Sequence, residues 1–395
     1  MIQLRRIPYS FHMLLPTTYA AALLLTIVSM ICWGSWANTQ KLTGKWRFEL
    51  FYFDYSFGVL LFAVIALFTF GAMNGQELSA MDMFALTAKR KAAYAVAGGA
   101  VFNLANILLV AAISISGLAV AFPVGIGLAL VIGVIWNYAL NPQGNPTLLF
   151  LGATGVVLAI IVDAVAYRIH ERQQGKIHRA TTKPAPASQT ASVSAPQSQA
   201  HAHSQSTHHH SSSRSRRHAE DAPVKPASAA KGIIVSLISG LLMGSFYPLV
   251  EMARGGDDGV RPYDDALLFA CGVFFTTFVF NFFFMLIPIH GNPVSIVSYF
   301  RGTKKQHLLG VLGGVIWCAG AVANFVASSS PSSVQVGPAV SYAMGQGATM
   351  VSALWGLLVW KEFAGATTRV RMLLTVMMAL FVIGLGLVSI APLYR

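Results

Sequence analysis

Ten stretches of about twenty apolar residues, separated by polar turns, decide what this chain can fold into. They lie near residues 17–39, 54–74, 92–113, 118–140 and 147–168, then 232–252, 265–289, 306–328, 333–359 and 370–391. Each matches the hydrocarbon thickness of a bilayer, where a helix satisfies its own backbone without water. Composition agrees: 55% of residues are hydrophobic and 10% charged, whereas about a quarter of a soluble domain is charged. The run from Thr17 to Ala37 is of spanning length and lacks a small-residue cleavage site, so it reads as the first helix and not as a signal peptide. The expected fold class is an all-α integral membrane protein with ten transmembrane helices.

Between the fifth and sixth runs lies a stretch of opposite character, His170 to Lys231, rich in Ser, Ala, Pro, Gln and His. It has almost nothing large and apolar to bury, so it cannot offset the entropy of ordering and is expected to be a disordered connector. The domains expected are a first five-helix half at 1–169, the linker at 170–231 and a second half at 232–395. Tight turns at Ser114–Gly117 and Ser329–Ser332 make consecutive helices antiparallel neighbours. The net charge of +13 comes from Lys and Arg spread over turns and connector, which suits the positive-inside rule and not nucleic acid. On a ten-helix layout most of the 27 basic residues fall on the connector side, so the connector faces the cytoplasm of a cell (inner) membrane and both termini face out. Cys32, Cys271 and Cys318 sit inside apolar runs as packing residues, with no CxxC pair for a disulfide or zinc.

The halves echo each other. Gly34-Ser35-Trp36 returns as Gly244-Ser245-Phe246, and Asp54 as Asp264, each 210 residues on. Gly98-Gly99 returns as Gly313-Gly314, and Pro123 as Pro338, each 215 residues on. An odd number of helices per copy turns the second copy upside down, so two inverted five-helix repeats are expected.

Motifs for catalysis are absent: no HExxH, GxSxG, GxxxxGK[ST] or GxGxxG, hence no enzyme, resident metal or cofactor is expected. His208, His209 and His210 offer imidazoles for a regulatory metal but no ligand geometry. A transporter needs less, a watery cavity lined by a few polar groups that lipid would not tolerate. Candidates are Ser35, Asn38, Asn103, Asn106, Asn137, Asn281, Asn324, Gln335, Tyr342 and Gln346. Their amides suit a neutral hydrogen-bonding solute, though an amide in a membrane helix equally bonds a neighbouring helix for about 0.6–2 kcal/mol. Asn103 and Asn106 share one helix face, as do Trp33 and Trp36, whose rings offer either a stacking surface or an interfacial anchor. Phe246 is the repeat mate of Trp36.

Asp163 alone of the acids lies well inside an apolar run and is expected to reach the interface; Asp54, Glu251, Asp264 and Glu362 stand at run ends, and no Lys or Arg lies deep in any span. Asp54 and Asp264 open their helices as caps or form paired gates, with Pro123 and Pro338 as gating positions. Gly125-x-Gly127, Gly240-xxx-Gly244, Gly310-xxx-Gly314 and Gly345-x-Gly347 allow helices to approach and slide.

The segments Cys32-Trp-Gly-Ser-Trp-Ala-Asn38, Phe53-Asp-Tyr-Ser56, Gly98-Gly99 with Asn103 and Asn106, and Trp355-Gly356 before Lys361-Glu362 resemble the drug/metabolite transporter superfamily, in its branch of ureide permeases and glucose/rhamnose porters. The resemblance implies ten helices in two inverted halves, a cavity built by helices one to four and six to nine, and proton-linked movement of small organic solutes. The connector has no phosphate-loop-like motif. The expected function is a secondary transporter of small neutral metabolites, ureides or nucleobases ahead of sugars, with protons and the bilayer as its other partners. The alternatives are a drug or metabolite exporter, and a non-transporting scaffold acting through the linker.

Overall fold

A computed structural model describes residues 14–44, 46–71, 89–181, 229–256, 258–289, 292–330, 334 and 336–394. Among these residues all regular structure is helical. Helices α1 (Tyr19–Ser35) and α2 (Ala37–Leu42) form one span with a break at Trp36. Then come α3 (Phe48–Thr69), α4 (Lys89–Ser116), α5 (Leu118–Leu140) and α6 (Pro146–Thr181). Beyond the connector are α7 (Ala229–Arg254), α8 (Pro262–Leu286), a short α9 (Val297–Phe300), α10 (Lys304–Ser328), α11 (Pro338–Gly345), α12 (Ala348–Leu354) and α13 (Thr368–Ile390). Nine described helices are long and apolar enough to cross a membrane.

Local chemistry sets the boundaries. Thr18 accepts a hydrogen bond from the Ala21 amide at 3.2 Å to start α1, and a Thr303/Gln306 capping box starts α10. Gly117 and Gly337 begin α5 and α11 with φ of 79° and 77°, which a side chain would resist.

Two segments depart from the sequence reading. Helix α6 continues past His170 to Thr181, because Glu, Arg, Gln and Lys are good helix formers and the first proline comes only at Pro184. Gln173 bonds Thr367 at 3.2 Å and Gln174 bonds the Ala364 carbonyl at 3.4 Å, so low apolar content did not mark the helix end there. Connector residues 182–228, with His208 to His210, lie outside the described residues, and 229–231 belong to α7. The run at 333–359 is not one helix but α11, α12 and a π-turn (Trp355–Val359). At the joint, a Cβ on Gly345 would meet the Trp33 ring at 2.5 Å and one on Gly347 the Met30 sulfur at 2.5 Å, so α1 presses into the break.

The halves interleave. Helix α3 crosses α8 and α10, α4 crosses α7 and α8, α1 packs on α10 and α12, α5 on α7, and α6 pairs with α13. Fully buried rings, among them Tyr52, Tyr55, Tyr247, Phe269, Phe325 and Tyr342, fill the centre, while Phe275, Val279 and Leu286 stand exposed on the outside. An apolar exterior around an aromatic and polar interior is what a lipid solvent selects.

Candidate functional site

A cavity of about 170 Å³ lies where α1, α4, α5, α7, α10 and the α11–α12 break converge. Its wall holds Trp33, Trp36, Phe102, Phe122, Phe246 and Trp317, with two amides, Asn106 and Gln346. Among the described residues no charged side chain lines it. The rings support one another: Trp33 stacks on Trp317 at 5.9 Å between centroids, Phe102 lies 4.3 Å from Trp317 and 5.3 Å from Phe246, and Trp36 rests 4.9 Å from Tyr55. The Trp33 indole also donates to the Trp317 carbonyl at 3.2 Å. Such mutually packed rings present preformed faces to a planar solute.

The amides differ from the other polar candidates in what they have left to offer. Asn106 gives one donor to the Tyr52 hydroxyl at 3.1 Å, and the Gln346 side chain has no hydrogen-bond partner among the described residues. Asn103, one turn earlier, is consumed by a helix contact: it donates to the Val273 carbonyl at 3.2 Å and to Thr276 Oγ1 at 2.9 Å, and accepts from Thr277 at 3.4 Å. Asn324 bonds Ser29, the Ser341 carbonyl and hydroxyl, and the Tyr247 hydroxyl. Asn137 and Asn281 likewise bond the carbonyls of Gly133 and Glu49. Tyr342 is wholly buried behind Phe246 and donates towards the carbonyls of Ala129 and Met243 at 3.2 and 3.3 Å. Gln335 lies outside the described residues.

Ser35 and Asn38 face the next compartment. Ser35 accepts from the Trp355 indole at 2.9 Å and Asn38 from the Trp360 indole at 2.6 Å, fastening the π-turn to the break between α1 and α2. There a second pocket of about 170 Å³ adjoins the cavity, sharing Ala37, Phe122, Thr349 and Ser352, and opens towards Lys41, Asp163, Tyr167 and Glu362 at the connector end. Lys41 pairs with Glu362 and lies 4.4 Å over the Trp360 ring; Tyr167 donates to Glu362, whose backbone oxygen sits 3.0 Å from His170 Nε2. Burial raises the Glu362 carboxyl, but hydrogen bonds from Lys41 and Tyr167 and the Lys41 charge outweigh it and hold the group below its ordinary value. Asp163 lines this vestibule, half-buried, with one oxygen lacking a hydrogen-bond partner among the described residues.

The remaining acids stand elsewhere. Asp54 lies more than a turn inside α3 and is no cap: its oxygens accept from the Tyr299 hydroxyl and His307 Nδ1, each at 2.7 Å. Burial and this bond to Asp54 raise the Tyr299 phenol above its ordinary value. Asp264 does sit in the first turn of α8, paired with Arg261 at 2.8 Å. Pro123 is inside α5, whereas Pro338 is the first residue of α11, so the two occupy different helical positions. Arg254 ends α7 and so does not lie deep in a span, yet it is buried: its side chain is 6% exposed and ion-pairs with Glu251 and Asp265. Its place at a helix end had suggested a loop charge, but the following turn folds back, the Val260 amide bonding the Ala253 carbonyl at 3.0 Å.

The aromatic wall residues not singled out from sequence are Phe102, Phe122 and Trp317. Trp317 stands 215 residues after Phe102, the offset of the double glycines, so the signal for that pair was present.

The family model described as ureide permease matches residues 51–391. Ureide permease 2 of Arabidopsis thaliana is 22% identical over 388 residues, covering 92% of this chain and 94% of its own length. Ureide permease 1 of the same plant is 21% identical, covering 95% and 97%. A solved structure described as a crystal structure of a protein aligns with a TM-score of 0.51 over 94% of this chain and 98% of that one, at 15% identity, a likeness of fold.

Proposed function

Because the chain belongs to the ureide permease family, and is thus a multi-pass integral membrane transporter and not an enzyme, we propose that it carries small, neutral, planar metabolites bearing amide or carbonyl groups, ureides or nucleobases ahead of sugars. The observation that carries this reading is the wall of the cavity. It has six aromatic side chains, Phe122 among them, two amides and, among the described residues, no charge. A neutral ring with alternating donors and acceptors loses little on leaving water for such a site, whereas an ion would lose its hydration without a counter-charge.

Movement proceeds by alternating access of two inverted five-helix repeats, spanning 1–169 and 232–395, with the 170–231 linker in the cytoplasm and proton coupling as the drive. Ten spans follow if α11, α12 and the π-turn together make the ninth, a broken helix beside a binding cavity. Paired crossings support the repeat. A Cβ on Gly314 would fall 1.9 Å from the Tyr55 oxygen, and one on Gly99 would fall 2.0 Å from the Phe269 oxygen. Reciprocally, Gly58 meets the Val311 oxygen at 2.1 Å and Gly272 the Val96 oxygen at 2.2 Å. Thus α3 on α10 and α8 on α4 are built alike, with mates 214 or 215 residues apart. By that register Asp54 corresponds to Leu268, and the likeness of Asp54 to Asp264 is sequence coincidence. The ring pairs Trp36 with Phe246 and Phe102 with Trp317 would then be mates that meet across the cavity.

Thermal shift of the purified protein with allantoin, uracil and glucose tests the substrate class. A ligand at a hundred times its dissociation constant stabilises by about 2.7 kcal/mol. Stabilisation by allantoin or uracil and not by glucose is expected; a response to glucose alone sinks the reading.

A further inference from the structure

At the end of the bundle away from the connector, α7 and α8 meet through the buried guanidinium of Arg254. It lies 3.0 Å from Glu251 Oε2 and 3.4 Å from Asp265 Oδ2, and donates to the Phe325 carbonyl and the hydroxyls of Ser328 and Ser329 at 2.7–2.9 Å. Two carboxylates therefore share one cation. A guanidinium does not give up its proton in a protein, so with both acids ionised the trio holds one uncompensated negative charge out of water. A buried charge of that kind is relieved by binding a proton.

Geometry decides which acid takes it. Glu251 lines an open pocket of about 460 Å³ with Arg90 and Lys91, and accepts from Asn141 at 3.2 Å as well as from Arg254. Asp265 is wholly buried, and neither of its oxygens has a hydrogen bond among the described residues. Arg90 and Lys91 are cations on the Glu251 side, lining that open pocket, and the ion pair that Asp265 makes is to Arg254. Asp264 is held by Arg261, Tyr247 faces Asn324 and Ser328, Lys91 is bonded to the carbonyls of Met252 and Gly255, Tyr94 packs with the Ala253 cluster, and α10 presents hydroxyls and carbonyls.

We propose that Asp265 is the site of the coupling proton, loaded from the pocket beside Glu251 and competing with Glu251 for Arg254. The inference rests on the reading of the protein as a proton-driven carrier and names the group that serves it. Loading moves one proton from water to a carboxylate oxygen, forming one O–H bond. A neutral Asp265 releases Arg254 to Glu251 and to α10; an ionised one draws it towards α8. The effect reaches the cavity by contact: Ser328 and Asn324 both lie within hydrogen-bond distance of the Tyr247 hydroxyl, and Asn324 Nδ2 is 3.4 Å from where a Cβ on Gly345, a wall residue, would stand.

The test uses the full-length protein in liposomes, with infrared spectra recorded against pH and uptake of labelled allantoin driven by an inward proton gradient. The wild type is expected to show a protonated-carboxyl band that disappears as pH rises, and a gradient-driven accumulation. Asp265→Asn is expected to lose both. Glu251→Gln, which leaves one carboxylate for one guanidinium, is expected to shift the pH at which that band disappears. A band that survives Asp265→Asn, or a midpoint unmoved by Glu251→Gln, overturns the proposal; the second variant decides the matter if the first does not fold. Failure of the wild type to accumulate allantoin would count against the substrate reading, while the infrared result would still judge the proton site.

Discussion

The two ends of the bundle treat polarity in opposite ways. Away from the connector, Arg254, Tyr247, Asn324, Ser328 and Ser341 bond one another in a buried network, and Asp265 beside it is the exception, with no hydrogen bond among the described residues. Towards the connector, the cavity and its vestibule keep Gln346 and Asp163 with unused hydrogen-bonding capacity among the described residues. The lesson concerns amides in a membrane. A polar residue in an apolar helix is under the same pressure wherever it sits, and what separates structure from function is whether neighbouring helices have already consumed its donors and acceptors.

The largest test strikes the ion cluster at the end away from the connector. Arg254→Met leaves Glu251 and Asp265 buried without their cation and is expected to destabilise by about 3–5 kcal/mol, seen as a lower melting temperature and lower membrane yield. Adding Asp265→Asn to Arg254→Met should recover part of that loss, because one orphaned charge is removed. Strict additivity of the two variants would show that the residues do not form one cluster.

Next come the two amides on α4. Asn106→Leu is expected to weaken allantoin binding by about 1–3 kcal/mol, since it removes a cavity group, and to lower the melting temperature only through the one bond it gives the Tyr52 hydroxyl. Asn103→Leu is expected to do the reverse, lowering the melting temperature by orphaning Thr276 and Thr277 contacts while a folded fraction binds normally. Equal effects of both on binding would erase the distinction drawn between the two ends.

That pair also shows how far the sequence could be read. Spacing placed Asn103 and Asn106 on one face, and both do face inward, but three residues of helix rotate a side chain enough to meet α8 in one case and the cavity in the other. Helical spans, the family likeness, Trp33 and Trp36 were legible because hydrophobic length and aromatic spacing are local properties. Burial of Arg254 was not, because it depends on the turn after α7 folding back and on hydroxyls that α10 brings from more than seventy residues away. The interruption at Gly345–Gly347 was half legible: the glycines were visible as sites of close approach, but that Trp33 and Met30 fill the space is a tertiary fact.

A smaller effect is expected at the aromatic wall. Trp36→Ala and Phe246→Ala should each weaken allantoin binding by about 0.5–1.5 kcal/mol through lost stacking, with Trp36→Phe milder because a ring face survives. Unchanged affinity together with a lowered melting temperature in both alanine variants would assign these rings to packing, and the cavity would lose its stacking role.

The smallest effect belongs to the Lys41–Glu362 pair that borders the vestibule. Its side chains are 44% and 29% exposed, so solvent screens it, and its worth is about 0.2–1 kcal/mol. The sign follows from the carboxyl being held below its ordinary value in the folded protein. The contribution is then complete above the unfolded value near about 4.3 and fades as pH falls through the lower folded value, where protonation breaks the pair. Melting temperature of the wild type should therefore lose its small advantage over Glu362→Gln as pH is lowered through that window, and keep it at pH 7. A difference between the two proteins that is independent of pH would mean that Tyr167 and shape, and not the charge on Glu362, hold this end together. The contrast with Arg254, whose guanidinium is ion-paired with Glu251 and Asp265, would then be one between a charged and a neutral fastening.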